Sequence, residues 1–173
     1  TARSAMVGSL THGKKGYEDH FSAHCENSVQ AQSLKDAFLA DIDHDTAAFN
    51  DIMTAMRLPK KTDADQATRR AAMTEATRTA INVPLGVLER SVHAIACAEI
   101  AATGNKNARS DAGVAALTAG AAAEGAFYNV LINLDGFADT AYAAEATTRA
   151  ERALAEVTER VTALTETIRN QLR

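Results

Sequence analysis

Apolar residues recur along this chain at alternating steps of three and four, the period of helices that bury one face. The pattern predicts five helical segments, near residues 2–15, 26–57, 62–102, 111–134 and 138–172. The first closes at Gly13-Lys14-Lys15-Gly16. The second stops at Leu58-Pro59, because the residue before a proline is pushed out of the helical region. Thr62 and Asp65 form a capping-box pair at the start of the third, and Pro84 is expected to kink or interrupt it. Gly104-Asn105 reads as its C-cap, both residues tolerating a left-handed turn. Ser110 is placed to cap the fourth segment, which Asp135-Gly136 ends. The last carries Leu154, Val157, Val161, Leu164 and Ile168 along one face. The predicted fold is an all-α helical bundle of about five long helices in a single domain, residues 1–173.

Polar residues that fall on the apolar stripes are the candidates for chemistry. In the second segment the stripe is Phe38, Ile42, Phe49, Ile52 and Met56, and one step lands on Asp45. A carboxylate buried there must be hydrogen-bonded, paired or protonated, the setting of a general acid or base that works near neutral pH. The bland alternative is a satisfied structural aspartate. Val114, Leu117, Ala121, Tyr128 and Leu131 define the corresponding face of the fourth segment, with Glu124 on it. Asn129 and Asn133, four residues apart, share a helix face and could bind one heterocycle, although helix–helix hydrogen bonding is the commoner use of such a pair. Asp111 complements the N-terminal end of its helix dipole.

Composition changes this picture little. Alanine supplies much of the 46% apolar content and aromatics are sparse at 5%, which favours helices over strands. A net charge of −4 offers no basic stripe for nucleic acid. No apolar run approaches the length of a membrane-spanning helix. Cys25 and Cys97 lack CxxC spacing and suit a reducing, cytoplasmic setting. His20, His24 and Cys25 invite a metal reading but have no further ligand at standard spacing, so no metal is expected. His93 reads as a core histidine, and His44 should point away from Asp45. Lys14, Lys15, Arg57, Lys60 and Lys61 gather at helix ends, as a solvated rim or as the seat of an anionic substrate tail.

Six stretches together resemble the formiminotetrahydrofolate cyclodeaminase / methenyltetrahydrofolate cyclohydrolase family. They are Met6-Val7 through Gly13-Lys14-Lys15, Asp43-His44-Asp45-Thr46-Ala47-Ala48-Phe49, Met56-Arg57-Leu58-Pro59-Lys60, Val83-Pro84-Leu85, Gly104-Asn105 through Ser110-Asp111-Ala112-Gly113-Val114-Ala115, and Asn129-Val130-Leu131-Ile132-Asn133-Leu134. The resemblance implies a helical homodimer that binds a tetrahydrofolate derivative and needs no cofactor beyond that substrate. It implies Asp45 as the catalytic aspartate of the Asp-x-Asp-x-x-x-Phe motif. Asp111, Asn129, Asn133, Lys14 and Lys60 follow as substrate-binding positions. The implied reaction converts 5-formiminotetrahydrofolate to 5,10-methenyltetrahydrofolate with release of ammonia, in one-carbon or histidine-degradation metabolism. The alternatives are a cyclohydrolase interconverting the methenyl and 10-formyl forms, and a non-catalytic folate-binding or dimerisation module. The family's Pro-Gly-Gly-Gly-Ser segment upstream of the Met-Val stretch is absent from these residues, and Thr1–Leu10 lacks a helix start signal. Residues before Thr1 are therefore expected. Without the formiminotransferase portion of bifunctional relatives, the chain reads as a stand-alone enzyme.

Overall fold

The computed structural model describes all 173 residues and contains helices and turns only. Helix α1 spans Ala2–Thr11, α2 Phe21–Met56, α3 Asp63–Ala102, α4 Arg109–Leu134 and α5 Thr140–Gln171. Short 3₁₀ turns at Glu18–His20 and Lys106–Ala108 lead into α2 and α4. The central element is α3, which packs against all four other helices. Its stripe of Ile81, Leu85, Leu88 and Ile95 is fully buried, each side chain contributing about 1.5–3 kcal/mol. Helix α5 adds Val157, Leu164 and Ile168 to the same core, from the face that its periodicity predicts.

Local signals explain most of the helix ends. Thr62 Oγ1 accepts from the Asp65 amide at 3.1 Å, and Asp65 Oδ2 accepts from the Thr62 amide at 3.0 Å, so the predicted capping box is complete. Gly136 adopts φ 69°, a left-handed turn after α4. Three expectations are corrected. Ser110 lies inside α4, whose N-cap is Ala108 without a side-chain cap. Gly104 is not left-handed; it is needed for space, since a Cβ there would meet Thr11 Oγ1 and stand 2.8 Å from His24 Cε1. Of the kink or interruption expected at Pro84, the interruption does not occur, since α3 runs unbroken for 40 residues. Proline has no N–H to give the carbonyl four residues back, which strands the oxygen of Ala80. Asn133 of α4 supplies the missing donor, its Nδ2 lying 2.9 Å from that oxygen.

The largest correction concerns which faces are inside. Helix α2 buries Ala31, Asp41, Ala48 and Ala55, whereas Ile42 and Phe49 are 62% and 61% exposed. The predicted stripe is shifted by one residue, a rotation of about 100°. Asp45 is accordingly exposed rather than sealed in a seam. Helix α4 repeats the inversion: Ala112, Ala116, Ala119, Ala123, Ala126 and Val130 face the core, while Leu117, Tyr128 and Leu131 face outward. Helices approach most closely where side chains are small, so the alanine faces pack and the large apolar faces are left outside. Alanine also brings one 18-residue window of Lys106–Leu134 to a mean hydropathy of 1.2, a level that helices packed into a protein core also reach. In the fold this segment packs between α3 and α5. His93, expected in the core, is exposed.

Candidate active site

At one end α1 fills the groove between α2 and α4, and farther along the groove is open as a cleft of about 410 Å³. That volume lies within the range of roughly 300–1,000 Å³ typical of small-molecule sites. Its floor and walls are apolar, with Phe38 and Ile42 from α2, Val83, Pro84 and Val87 from α3, and Ala121 and Ala126 from α4. Small residues on α4 create the room. At Gly125, which also lines the cleft, an added Cβ would meet nothing within 4 Å.

Four polar side chains reach this cleft: Asp41, Asp45 and Thr46 from α2, and Asn129 from α4. The Thr46 hydroxyl is committed to the Ile42 carbonyl at 3.0 Å. Asp41, 8% exposed, accepts from Arg90 Nε at 3.1 Å and from Arg90 Nη2, and His44 Nδ1 lies 3.6 Å from its other oxygen. Asp45 takes part in no ion pair or side-chain hydrogen bond, so its carboxylate is free to meet a ligand. An unpaired carboxylate and an uncommitted amide thus border one apolar cleft, an arrangement able to move a proton and to orient a polar heterocycle.

The remaining sequence candidates sit elsewhere in the single chain. Asn133 shares a helix with Asn129, but its Nδ2 is engaged with Ala80. Asp111 pairs with Arg3 of α1 at the start of α4, about 27 Å along the helix from Asn129 at ~1.5 Å rise per residue. Lys14 donates to Asn105 Oδ1 at 2.7 Å and lies 6.0 Å from the Tyr17 ring centre, near that same end. Lys60 lies in a polar depression with Gln66, Arg69 and Arg70 at the α2–α3 turn, beyond the other end of the cleft. Glu124 lies beside the outward-facing Tyr128 hydroxyl, whose pKa it raises. His20 and His24 meet edge to face with ring centres 6.5 Å apart, while the neighbouring Cys25 is exposed.

The Asp41–Arg90 pair is not among the residues that the sequence pattern singled out. The signal was present: Asp41 stands one turn before Asp45 and seven residues before Ala48, which in turn precedes Ala55 by seven. That spacing marks a second, small-residue stripe beside the one made of large side chains.

Comparison with known proteins places the chain in a family. The family model described as formiminotransferase-cyclodeaminase matches residues 1–152. A methenyltetrahydrofolate cyclohydrolase from Methylorubrum extorquens is 39% identical over 153 residues, 88% of this chain and 74% of its own length. A formimidoyltransferase-cyclodeaminase from Sus scrofa is 37% identical over 158 residues, 90% of this chain and 29% of its own length. The crystal structure of formiminotetrahydrofolate cyclodeaminase from Thermotoga maritima superposes with a TM-score of 0.70 at 26% identity, covering 96% of this chain and 81% of that one. Helical architecture, the match over residues 1–152 and the identity to these relatives converge, and the chain belongs to the formiminotransferase-cyclodeaminase family.

Proposed function

We propose that this protein is a folate one-carbon enzyme that converts 5-formiminotetrahydrofolate to 5,10-methenyltetrahydrofolate and releases ammonia, with Asp45 as its proton-transfer group. The observation that carries the reading is the free Asp45 carboxylate facing an apolar cleft that also holds the amide of Asn129. In the reaction N10 adds to the protonated formimino carbon, N10 loses its proton, and the former imino nitrogen gains one and departs as ammonia. Asp45 takes the first proton and delivers the second. Substrate and product each carry one positive charge on the one-carbon bridge, which suits a cleft with a carboxylate and no cation on its walls. Asn129 orients the ring system through its amide, and the apolar walls hold the flat pterin.

A second reading, hydrolysis of the methenyl form to 10-formyltetrahydrofolate and a proton, is favoured by one observation. The relative of which this chain covers 74% is named a methenyltetrahydrofolate cyclohydrolase. Both reactions make or break bonds at the same bridging carbon, and the same carboxylate can serve either.

The working molecule is proposed to be a cytoplasmic homodimer. The outward stripes of α2 (Ile42, Phe49, Met56) and α4 (Leu117, Tyr128, Leu131) flank the cleft, and a second copy would cover them. Such a partner also offers a route by which Asp111, Lys14 and Lys60, far from Asp45 in one chain, contribute to a shared site.

Ammonia release from 5-formiminotetrahydrofolate, measured beside hydrolysis of the methenyl form, tests the assignment. Asp45→Asn is expected to lower whichever turnover is present by about 10²–10⁴-fold while the fold stays intact. Undiminished turnover in Asp45→Asn would remove Asp45 from the mechanism, and no turnover by the wild type in either assay would exclude both reactions.

A further inference from the structure

The cleft holds two carboxylates one helical turn apart, and only one of them is free. Asp41 and Asp45 stand four residues apart on α2, which places their Cβ atoms about 6 Å apart. Both line the cleft, but Asp41 is almost wholly buried and receives the Arg90 guanidinium, whereas Asp45 is unpaired. The chain makes local room for this pairing. Gly86 sits one turn before Arg90, and an added Cβ there would lie 3.1 Å from Arg90 Nη2 and 3.3 Å from Nη1. Glycine inside a 40-residue helix costs about 1 kcal/mol relative to alanine, so the space it leaves for the guanidinium is obtained against helix propensity.

We propose that the Asp41–Arg90 pair sets the charge of the Asp45 cleft, making Asp41 and Arg90 positioning residues for the proton transfer. The proposal rests on the assignment of Asp45 above. With Arg90 in place, the charge of Asp41 is compensated within its own pair and Asp45 is the single unpaired carboxylate of the cleft. Without Arg90, two carboxylates one helical turn apart would face the same cleft uncompensated and repel each other. Few other groups bear on this balance. On α2 the exposed His44 has its Nδ1 3.6 Å from Asp41 Oδ1, the oxygen that Arg90 does not bind. On α3 the remaining cleft residues are apolar and Glu89 is held by Arg149. On α4 the lining is Ala121, Ala122, Gly125, Ala126 and Asn129, all uncharged, with Glu124 turned to Tyr128.

The test is the pH dependence of kcat/KM in Arg90→Gln, Asp41→Asn and the double variant, with melting temperatures recorded alongside. Arg90→Gln exposes Asp45 to a second negative charge, so the acid limb moves to higher pH by about one unit. Asp41→Asn leaves Arg90 unneutralised beside the cleft, so the limb moves to lower pH and KM for the cationic substrate rises several-fold. The double variant removes both charges and returns the limb to its wild-type position; Arg90→Lys, which keeps the charge, stays there too. A merely structural pair would lower the melting temperature in all variants and leave the limb in place, which overturns the proposal. If Arg90→Gln does not fold, Asp41→Asn and the double variant decide the matter by the same two limbs. Should Asp45→Asn retain full turnover, the functional reading fails; should it lose turnover while these limbs stay fixed, only the present inference fails.

Discussion

A histidine without exposed surface changes how stability responds to pH, and His24 is such a residue, packed against Gly104 with Nε2 3.3 Å from Thr103 Oγ1. Burial, aided by the nearby His20, lowers its pKa below the ordinary value of 6.5. The unfolded chain therefore binds a proton at this residue below about pH 6.5 that the folded chain does not bind, and stability falls as pH drops through that window toward the folded value. His24→Gln removes the titration. Its melting temperature is expected to fall less between pH 7 and pH 5.5 than that of the wild type; equal losses in both would show that His24 does not contribute. Gly125 offers a different contrast. Because its Cβ position is open and faces the cleft, Gly125→Ala should stabilise the helix by about 0.5–1 kcal/mol. Gly125→Leu should fill the cleft and raise KM with little loss of fold.

Among the elements, the junction of α3 and α4 separates two amides that look alike in the sequence. Asn133 repairs the hydrogen bond that Pro84 removes from α3, whereas Asn129 makes no such bond and borders the cleft. Opposite phenotypes follow. Asn133→Ala strands the Ala80 carbonyl and should cost about 1–3 kcal/mol in denaturant unfolding, with kcat/KM per folded molecule little changed. Asn129→Ala should leave unfolding unchanged and weaken substrate binding. The same junction shows why Pro84 does not interrupt α3: the proline lies opposite a donor on another helix. Ion pairs such as Arg149–Glu89 and Arg160–Glu99 tie α5 to α3, but they are partly exposed and contribute about 0–1 kcal/mol each, less than the apolar seam beneath them.

For the whole molecule, the outward apolar stripes of α2 and α4 are the dominant feature left uncovered in the single chain. If a second copy covers them, Phe49→Asp should shift the mass measured by light scattering from dimer to monomer while the helical circular dichroism signal persists. Ala48→Asp, one residue away and only 1% exposed, should instead destabilise the fold itself. A wild-type protein that is monomeric at all concentrations would remove the dimer from the reading. Loss of activity on dissociation would further show that the cleft needs its neighbour.

The sequence alone determined the helical class, the approximate helix ends, the capping box at Thr62 and the amphipathic face of α5. These depend on local rules, turn residues and a single strong periodicity, so they can be read without knowing what packs where. It also singled out Asp45 and Asn129, which the fold brings to one cleft. Which side of α2 and α4 is inside was settled by helix packing. Two stripes one residue apart competed on each helix, and hydropathy favours the large side chains, whereas close helix packing selects the alanines. From that choice follow the exposure of Asp45, the burial of Asp41 against Arg90, and the role of Asn133 beside Pro84. Each is a contact between residues remote in sequence, set by geometry that no single helix contains.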